Sequence, residues 1–503
     1  MQGNKTKATA VSMALFAGAA SSAAAKSFID YFLPTPITCP LVSNAWGCTA
    51  SGSTPANCTA GSGVLPRDTC NGIESPKNPP ANYYWDGTIV KANGNYHLFA
   101  TRWPGSIGFN PGWLSSDPIH AVGGTNPLGP YVDKGFAYTH SSFGSDPHKG
   151  HNLQILTLLD GTYAMVVSEV VPWTIFTSTS VDGPWKPCPS APGPGLSVPS
   201  TGFGGNNSYA SNVSIVVRPD GNFQSIQRHG LIALSTTGVC GPYKAQQPTN
   251  KYASSDAVPA ASKASIFPNR QKHLDPTAPS RVESTYAIAE DPFIWYSAGL
   301  YHVLYGYPGD RVGYHLTSVD GIHDWTDRGV AYNPRSAQKL FSYTNGTVNH
   351  WYKMERSNVL VQNGVITHVS FAVSDVNKDN QIPAGSNHGS KLIVIPFDGV
   401  AFNKDYGLSS TEVLNGARLP KARQSIVSHG GSYDMEYSGC APGNIEFEVY
   451  STGGVRMARR SVVVSESSGS FEWSELSSLP RGIYVVRAKA GTARMEDGTF
   501  FKS

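Results

Sequence analysis

One local pattern occurs five times in this 503-residue chain and restricts the fold more than any other feature. Each copy has a polar or acidic head, an apolar β-rich run, a tight turn, and a second strand opening on an aromatic or apolar residue. The first copy runs from Asp86 through Gly87-Thr88-Ile89-Val90, turns at Asn93-Gly94-Asn95 and resumes at Tyr96-His97-Leu98-Phe99. The second starts at His151-Asn152 and turns at Asp160-Gly161-Thr162; the third starts at Asn212 and turns at Asp220-Gly221-Asn222. The fourth starts at Glu290-Asp291 and turns near Ala298-Gly299; the fifth starts at Glu355-Arg356 and turns at Asn363-Gly364. Asp-Gly and Asn-Gly between apolar runs mark hairpins, because both central residues must accept positive φ.

The heads recur every 60–80 residues or so. Gly129-Pro130-Tyr131, Gly183-Pro184-Trp185, Gly241-Pro242-Tyr243 and the looser Asp320–Trp325 stretch punctuate the intervals. Five such units predict an all-β chain: a five-bladed β-propeller over residues 80–403, in which the first strand of each blade lines the axis. All five heads then converge on one end of the channel. A β-sandwich with irregular hairpins is the competing architecture, and it does not explain the recurring polar head. The pattern stops after about Asn403. Residues 404–440 read as a linker, and 441–503 as a small C-terminal β-sandwich-like domain built from Phe447–Tyr450, Ser461–Val464 and Gly482–Arg487.

The composition agrees with many short strands and tight turns: 52 Gly, 36 Pro and only 15% charged residues. A net charge of +3 gives no basic surface for nucleic acid or an acidic membrane. Lys5 and Lys7, the apolar run Val11–Ala20 and the small residues Ser21–Ala25 form a signal peptide over residues 1–25, cleaved near Ala25. The run is too short for a membrane anchor, and no later segment is long and apolar enough to be one. The expected location is outside the cell, secreted or at a bacterial surface. Residues 26–79 form a Cys-rich extension, in which Cys39, Cys48, Cys58 and Cys70 are expected to make two disulfides of unspecified pairing. No Cys-x-x-Cys pair supports zinc there. Cys188 and Cys240 flank similar turns and are placed to bridge neighbouring blades, which leaves Cys440 as a free thiol.

Carboxylates at the heads point to chemistry. Asp and Glu are depleted in strands, and buried unpaired carboxylates are costly. Gathering Asp86, Glu290, Asp291 and Glu355 at one pore suits glycoside hydrolysis, which needs one carboxylic acid and one carboxylate. Asp86 reads as general base. Asp291 shares its register, because Tyr301 follows Asp291 by ten residues as Tyr96 follows Asp86. Asp291 is therefore expected to set pKa values or clamp substrate, with Glu290 as the alternative, since neighbouring strand residues face opposite ways. Glu355 reads as general acid, with His350 as an alternative proton donor. Substrate contacts are expected from Trp85, Arg102, Trp103, His151, Asn152, Asn212, Trp295 and Arg356; an ion pair between Arg356 and Glu355 is the structural reading of that Arg.

The strings Trp85-Asp86-Gly87, Arg102-Trp103-Pro104, Gly150-His151-Asn152, Glu290-Asp291-Pro292-Phe293-Ile294-Trp295 and Glu355-Arg356 occur in that order. They resemble the five-bladed propeller glycoside hydrolases, the arabinanase and xylosidase group (family 43) and the neoagarobiose hydrolases (family 117). The resemblance spans about residues 80–400. It implies an inverting hydrolase, with Asp86 as base, Asp291 as modulator, and Glu355 or His350 near the acid position. The chain departs from that pattern at Ser357, where Pro follows Glu-Arg in many relatives, and at Leu153, where Gly-His-Asn is followed by Pro. Leu479–Val486 and the terminal Phe500-Phe501-Lys502 resemble the C-terminal sorting domains of bacterial type IX secretion substrates, which implies a secretion machinery as partner. No cofactor is expected. A calcium ion on the axis is compatible with such a fold, although no ligand spacing marks it. Two other function classes compete: a polysaccharide lyase using His151, His350, Tyr84 and Arg102, and a propeller that only binds glycans.

Overall fold

The computed structural model describes residues 26–42, 64, 66–77, 80–110, 112–138, 150–168, 174–188, 212–246, 266–267, 289–307, 311–362, 364–379, 381–407 and, with short breaks, 423–502. The expected signal peptide, Cys48, Cys58 and Cys440 lie outside the described residues. The chain is a β-propeller. After the short strand β1 (Ile73–Glu74) come β2 (Asn82–Ala92), β3 (Asn95–Pro104), β4 (Asp117–Val122) and β5 (Val132–Phe136) in blade 1. Blade 2 is β6 (His151–Thr157), β7 (Tyr163–Ser168), β8 (Thr174–Ser178) and β9 (Lys186–Pro187). Blade 3 is β10 (Ser214–Val217), β11 (Phe223–Gln227), β12 (Leu231–Ser235) and β13 (Lys244–Ala245). Blade 4 is β14 (Glu290–Ser297), β15 (Leu300–Tyr307), β16 (Val312–Ser318) and β17 (Thr326–Tyr332). Blade 5 has β18 (Lys353–Gln362), β19 (Val365–Ser374) and β20 (Ser390–Pro396), and takes β1 as its outermost strand. The strand pairings within the blades are antiparallel. The inner strands β2, β6, β10, β14 and β18 neighbour one another in a closed cycle.

Both faces of each blade are covered. Val90 and Phe99 of blade 1 pack with Ile155, Met165 and Val167 of blade 2. The other side of blade 1, at Leu98, Ala100 and Ile119, packs with Ala372, Leu392 and Val394 of blade 5. A strand buried on both faces reads as a continuous apolar run, which is why β15 and β16 show no alternation. The hairpin turns follow from local chemistry: Asn93 and Gly94 both have positive φ, 51° and 78°. The Gly-Pro turns of blades 1, 2 and 3 all contain a cis peptide, at Gly129-Pro130, Gly183-Pro184 and Gly241-Pro242.

Within the segment drawn from sequence as a separate extension, 26–79, the described residues join the ring. Its strand β1 pairs Ile73 with Leu392 and Glu74 with Lys391. Approach is close enough at Gly72 (φ 68°) that a Cβ there would sit 1.8 Å from the Leu392 carbonyl oxygen. Glu74 accepts from Arg67 at 2.7 and 3.2 Å and lies 3.0 Å from Lys391 Nζ, with all three side chains buried. Upstream, Phe28 is fully buried against Trp295, Phe397 and Phe402, the last from the helix Gly399–Tyr406. The extension lacked an apolar run because it adds single anchors to another core.

Cys39 pairs with Cys70, and Cys188 with Cys240. The second bridge joins the outer edges of blades 2 and 3 as expected. It closes a separation of 52 residues, for which chain-entropy reasoning gives about 4 kcal/mol. Cys188→Ala/Cys240→Ala is accordingly expected to melt about 5 °C lower in a thermal scan, and an unchanged midpoint would show the bridge to be idle.

Beyond the propeller come β21 (Arg423–His429), β22 (Ser432–Ser438), β23 (Gly443–Ser451), β24 (Arg456–Val464), β25 (Ser468–Glu472), β26 (Gly482–Ala490), β27 (Ala493–Arg494) and β28 (Gly498–Lys502). They form two sheets, β21-β22-β25 and β24-β23-β26-β27 with β28 on β26. The sheets share one core, with Met435 from the first and Phe447, Val449 and Val486 from the second. The unit therefore begins at β21, inside the stretch read as linker. Among the described residues no helix is long and apolar enough to cross a membrane.

Candidate active site

Four of the five inner strands, β2, β6, β14 and β18, carry the same irregularity at the head. The register shifts between Trp85 and Thr88, His151 and Leu153, Glu290 and Phe293, and Glu355 and Asn358. At that point Asp86, Asn152, Asp291 and Arg356 take φ of 60°, 56°, 57° and 55°, and Asn212, just before β10, takes 53°. These are bulges with a residue in the left-handed region, which re-aim a side chain. Asp and Asn enter that region readily; Arg does so at a cost. The equal spacing of Asp86 and Asp291 from their aromatic residues thus corresponds to equivalent places in blades 1 and 4.

The five re-aimed residues form a closed hydrogen-bonded and ionic ring. Asp86 Oδ2 accepts from Asn152 N (2.7 Å) and Thr101 Oγ1 (2.9 Å). Asn152 Nδ2 donates to Asn212 Oδ1 (2.9 Å), and Asn212 Nδ2 donates to Asp291 Oδ1 (2.5 Å). Arg356 Nη1 donates to the same Asp291 oxygen (2.9 Å), and Arg356 Nε lies 3.0 Å from Asp86 Oδ1, an ion pair without hydrogen-bond alignment. Asp86 is 0% exposed, and the Asp291 and Arg356 side chains are 7% and 8% exposed. Two buried carboxylates and one buried guanidinium share the ring, so each charge has an opposite neighbour. The Arg356 pKa is raised: burial opposes its charge, and Asp291 and Asp86 outweigh that.

A second group of charges accompanies the ring. Glu290, next to Asp291, turns to Arg228, which follows β11 in blade 3. Its side chain is 24% exposed. Burial, then the charges of Asp291 and Glu355, push its carboxyl up to about 7 against the opposing pull of Arg228 and Lys378. Glu355 is paired with Lys353 (2.9 Å) and Lys378 (3.5 Å), and Asp379 binds both lysines. Burial opposes the Lys378 charge, but Glu355 and Asp379 raise its pKa. Its ammonium lies 5.5 Å from the Trp85 ring and 5.4 Å from the Phe109 ring. His151 meets Trp113 edge-on at 4.8 Å.

The remaining sequence candidates lie elsewhere. Trp103 is buried, donates to the Gly108 carbonyl and packs on Phe109. Trp295 is buried against His302, with its indole N–H on Ser297. Both side chains are packed in blade cores. Arg102 is paired with Asp133 at 2.5 Å and lies over Phe136, and Tyr84 bonds the same carboxylate. His350 is exposed, and no described bond or ion pair ties it to the carboxylates. Arg356 pairs with Asp86 and Asp291, in place of the expected pair with Glu355. Sequence reading passed over Lys353, Lys378 and Arg228, and also a buried Asp375 that holds His388 Nδ1 at 2.8 Å. Lys378 and Asp375 both lie between β19 and β20, a stretch with no motif to flag it.

Asp182 approaches the His97–His120 pair. The same pair recurs in blade 4 as His302–His315, with ring nitrogens 2.9 Å apart in one and 3.0 Å in the other, so it is a packing device of the blade.

No family model and no curated protein matches the chain. Among solved structures, a family 43 β-xylosidase/α-arabinofuranosidase from a compost microbial metagenome is similar at 13% identity and a TM-score of 0.41, covering 65% of this chain and 94% of that one. A family 117 glycoside hydrolase from Zobellia galactanivorans is similar at 13% identity and 0.41, covering 69% and 96%. The catalytic domain of a family 62 α-L-arabinofuranosidase from Coprinopsis cinerea is similar at 10% identity and 0.41, covering 65% and 95%.

Proposed function

We propose that this protein is a secreted glycoside hydrolase that cleaves plant or algal polysaccharides or oligosaccharides by inversion. One observation carries the reading: neighbouring carboxyl groups at the blade heads have opposite surroundings. Glu290 is pushed up to about 7 and is protonated often enough to give a proton to the leaving oxygen. Glu355 is ion-paired with two lysines and serves as the carboxylate that draws a proton from the attacking water. Asp86 and Asp291 then act through the ring, as positioning groups whose charges bear on Glu290. This reverses the role expected for Glu355 and moves the base away from Asp86, because the ring occupies that carboxylate.

Trp113 and His151, both partly exposed, supply aromatic faces for sugar C–H groups, while Trp85 lies buried beneath Lys378. The lyase reading loses two of its groups, since Asp133 already holds Arg102 and Tyr84. The C-terminal sandwich is assigned to secretion sorting, consistent with the leader at residues 1–25.

The test is reducing-sugar release across plant and algal oligosaccharides, comparing wild type with Glu355→Gln. The expected result is release by the wild type and a loss of about 10²–10⁴-fold in the variant, with melting unchanged to within a few degrees. Unsaturated products absorbing in the ultraviolet would assign a lyase, and glycan binding without products a lectin; either outcome overturns the hydrolase reading.

A further inference from the structure

Two buried carboxylates from different blades facing one axis call for a cation. A divalent ion such as calcium would take six to eight oxygen ligands with lone pairs turned inward. The ring offers the reverse. Asp86 Oδ2 is taken by Asn152 N–H and the Thr101 hydroxyl, and Asp291 Oδ1 by Asn212 and Arg356. Asn212 Oδ1 is taken by the Asn152 amide. The small axial space bounded by Asp291, Arg356, Gln154, Ser214 and Asn358 is similarly committed. Gln154 bonds both backbone groups of Ile215, Ser214 accepts from Ile294 N, and Asn358 accepts from Thr88. These residues do not fit a calcium ion.

We infer that Arg356 is the propeller's built-in axial cation: its guanidinium bridges Asp86 of blade 1 and Asp291 of blade 4 and does the charge-balancing work of a bound metal ion. Three observations support it. The guanidinium lies within 3.0 Å of both carboxylates. Its residue adopts a left-handed backbone that an Arg enters only at a cost, which places it at the same ring position as the four Asp and Asn heads. The ring also has one gap in its sequence of hydrogen bonds, between blades 4 and 1, and Arg356 spans it. This inference rests on the ring and not on the proposed hydrolysis, so it is read by stability and metal content.

Wild-type protein purified without chelator is expected to carry substoichiometric calcium, magnesium and zinc by elemental analysis. Its melting temperature is expected to be unmoved by EGTA or EDTA. Arg356→Ala is expected to melt about 5–10 °C lower. Arg356→Ala/Asp86→Asn/Asp291→Asn, which leaves the ring uncharged, is expected to regain much of that loss. If Arg356→Ala does not fold, the triple variant supplies the reading by folding where the single one fails. Stoichiometric metal in the wild type, with melting lowered by chelation and restored by calcium, would overturn the inference. A triple variant as damaged as the single one would do the same, by showing that charge balance is not the role of Arg356.

Discussion

Replacing Glu290 by Gln is expected to lower turnover by about 10²–10⁴-fold on substrates whose leaving oxygen must be protonated. A substrate with an activated aryl leaving group, which departs without a proton, keeps most of its rate. In the wild type the rate is expected to fall as pH rises through about 7, because the buried carboxyl, facing Asp291 and Glu355, loses its proton there. That limb is absent from the variant. Stability follows with a definite sign. The folded protein keeps a proton on Glu290 up to about 7, whereas the unfolded chain gives it up near 4.5. The contribution is complete below the lower value and is lost as pH rises through the higher one. A shift of that size corresponds to about 3 kcal/mol, so Glu290→Gln is expected to be more stable than wild type toward urea at pH 8. A basic limb that survives in the variant would remove Glu290 from the acid role.

Glu74→Ala is expected to cost about 3–5 kcal/mol, and to lower the melting temperature by about 5 °C. Its carboxylate is the shared partner of Arg67 and Lys391, all three buried, so its loss takes that counter-charge from two cations held away from water. Burial already lowers the Lys391 pKa despite Glu74. The companion variant Glu74→Ala/Lys391→Met removes one stranded charge and is expected to recover part of the loss. Equal melting of Glu74→Ala and wild type would mean that β1 is held by its backbone pairing alone.

How much was legible differs between the ring and its surroundings. Asp86, Asn152, Asn212, Asp291 and Arg356 stood out because the repeat puts a polar residue at the same point of each inner strand. Their mutual bonds were hidden, because they join residues sixty or more positions apart and depend on a bulge that strand alternation does not anticipate. The same bulge parts Glu290 from Asp291, which share no face in an ordinary strand. Trp103 and Trp295 were misread because blades bury both strand faces, so an aromatic residue in such a strand is core by default. Lys353 and Lys378 went unnoticed because a lysine reads as surface until the fold brings carboxylates to it. The segment around Glu74 looked like an appendage for a similar reason: a two-residue strand has no periodicity to detect.

That strand also bears on the expected order of events during folding. Ile73 meets Leu392, roughly three hundred residues later in the chain, so the first strand to be synthesised is among the last to find its place. Until β20 exists the early segment has no partner, and the entropy of joining such distant positions must be met by contacts that form together at the end. A chain cut short before β20 is therefore not a propeller with a blade missing. It keeps the inner strands but leaves β1 without a partner and β19 as a bare sheet edge, the exposed edges that lead to aggregation. The first and last strands of the propeller are thus bound to a common fate.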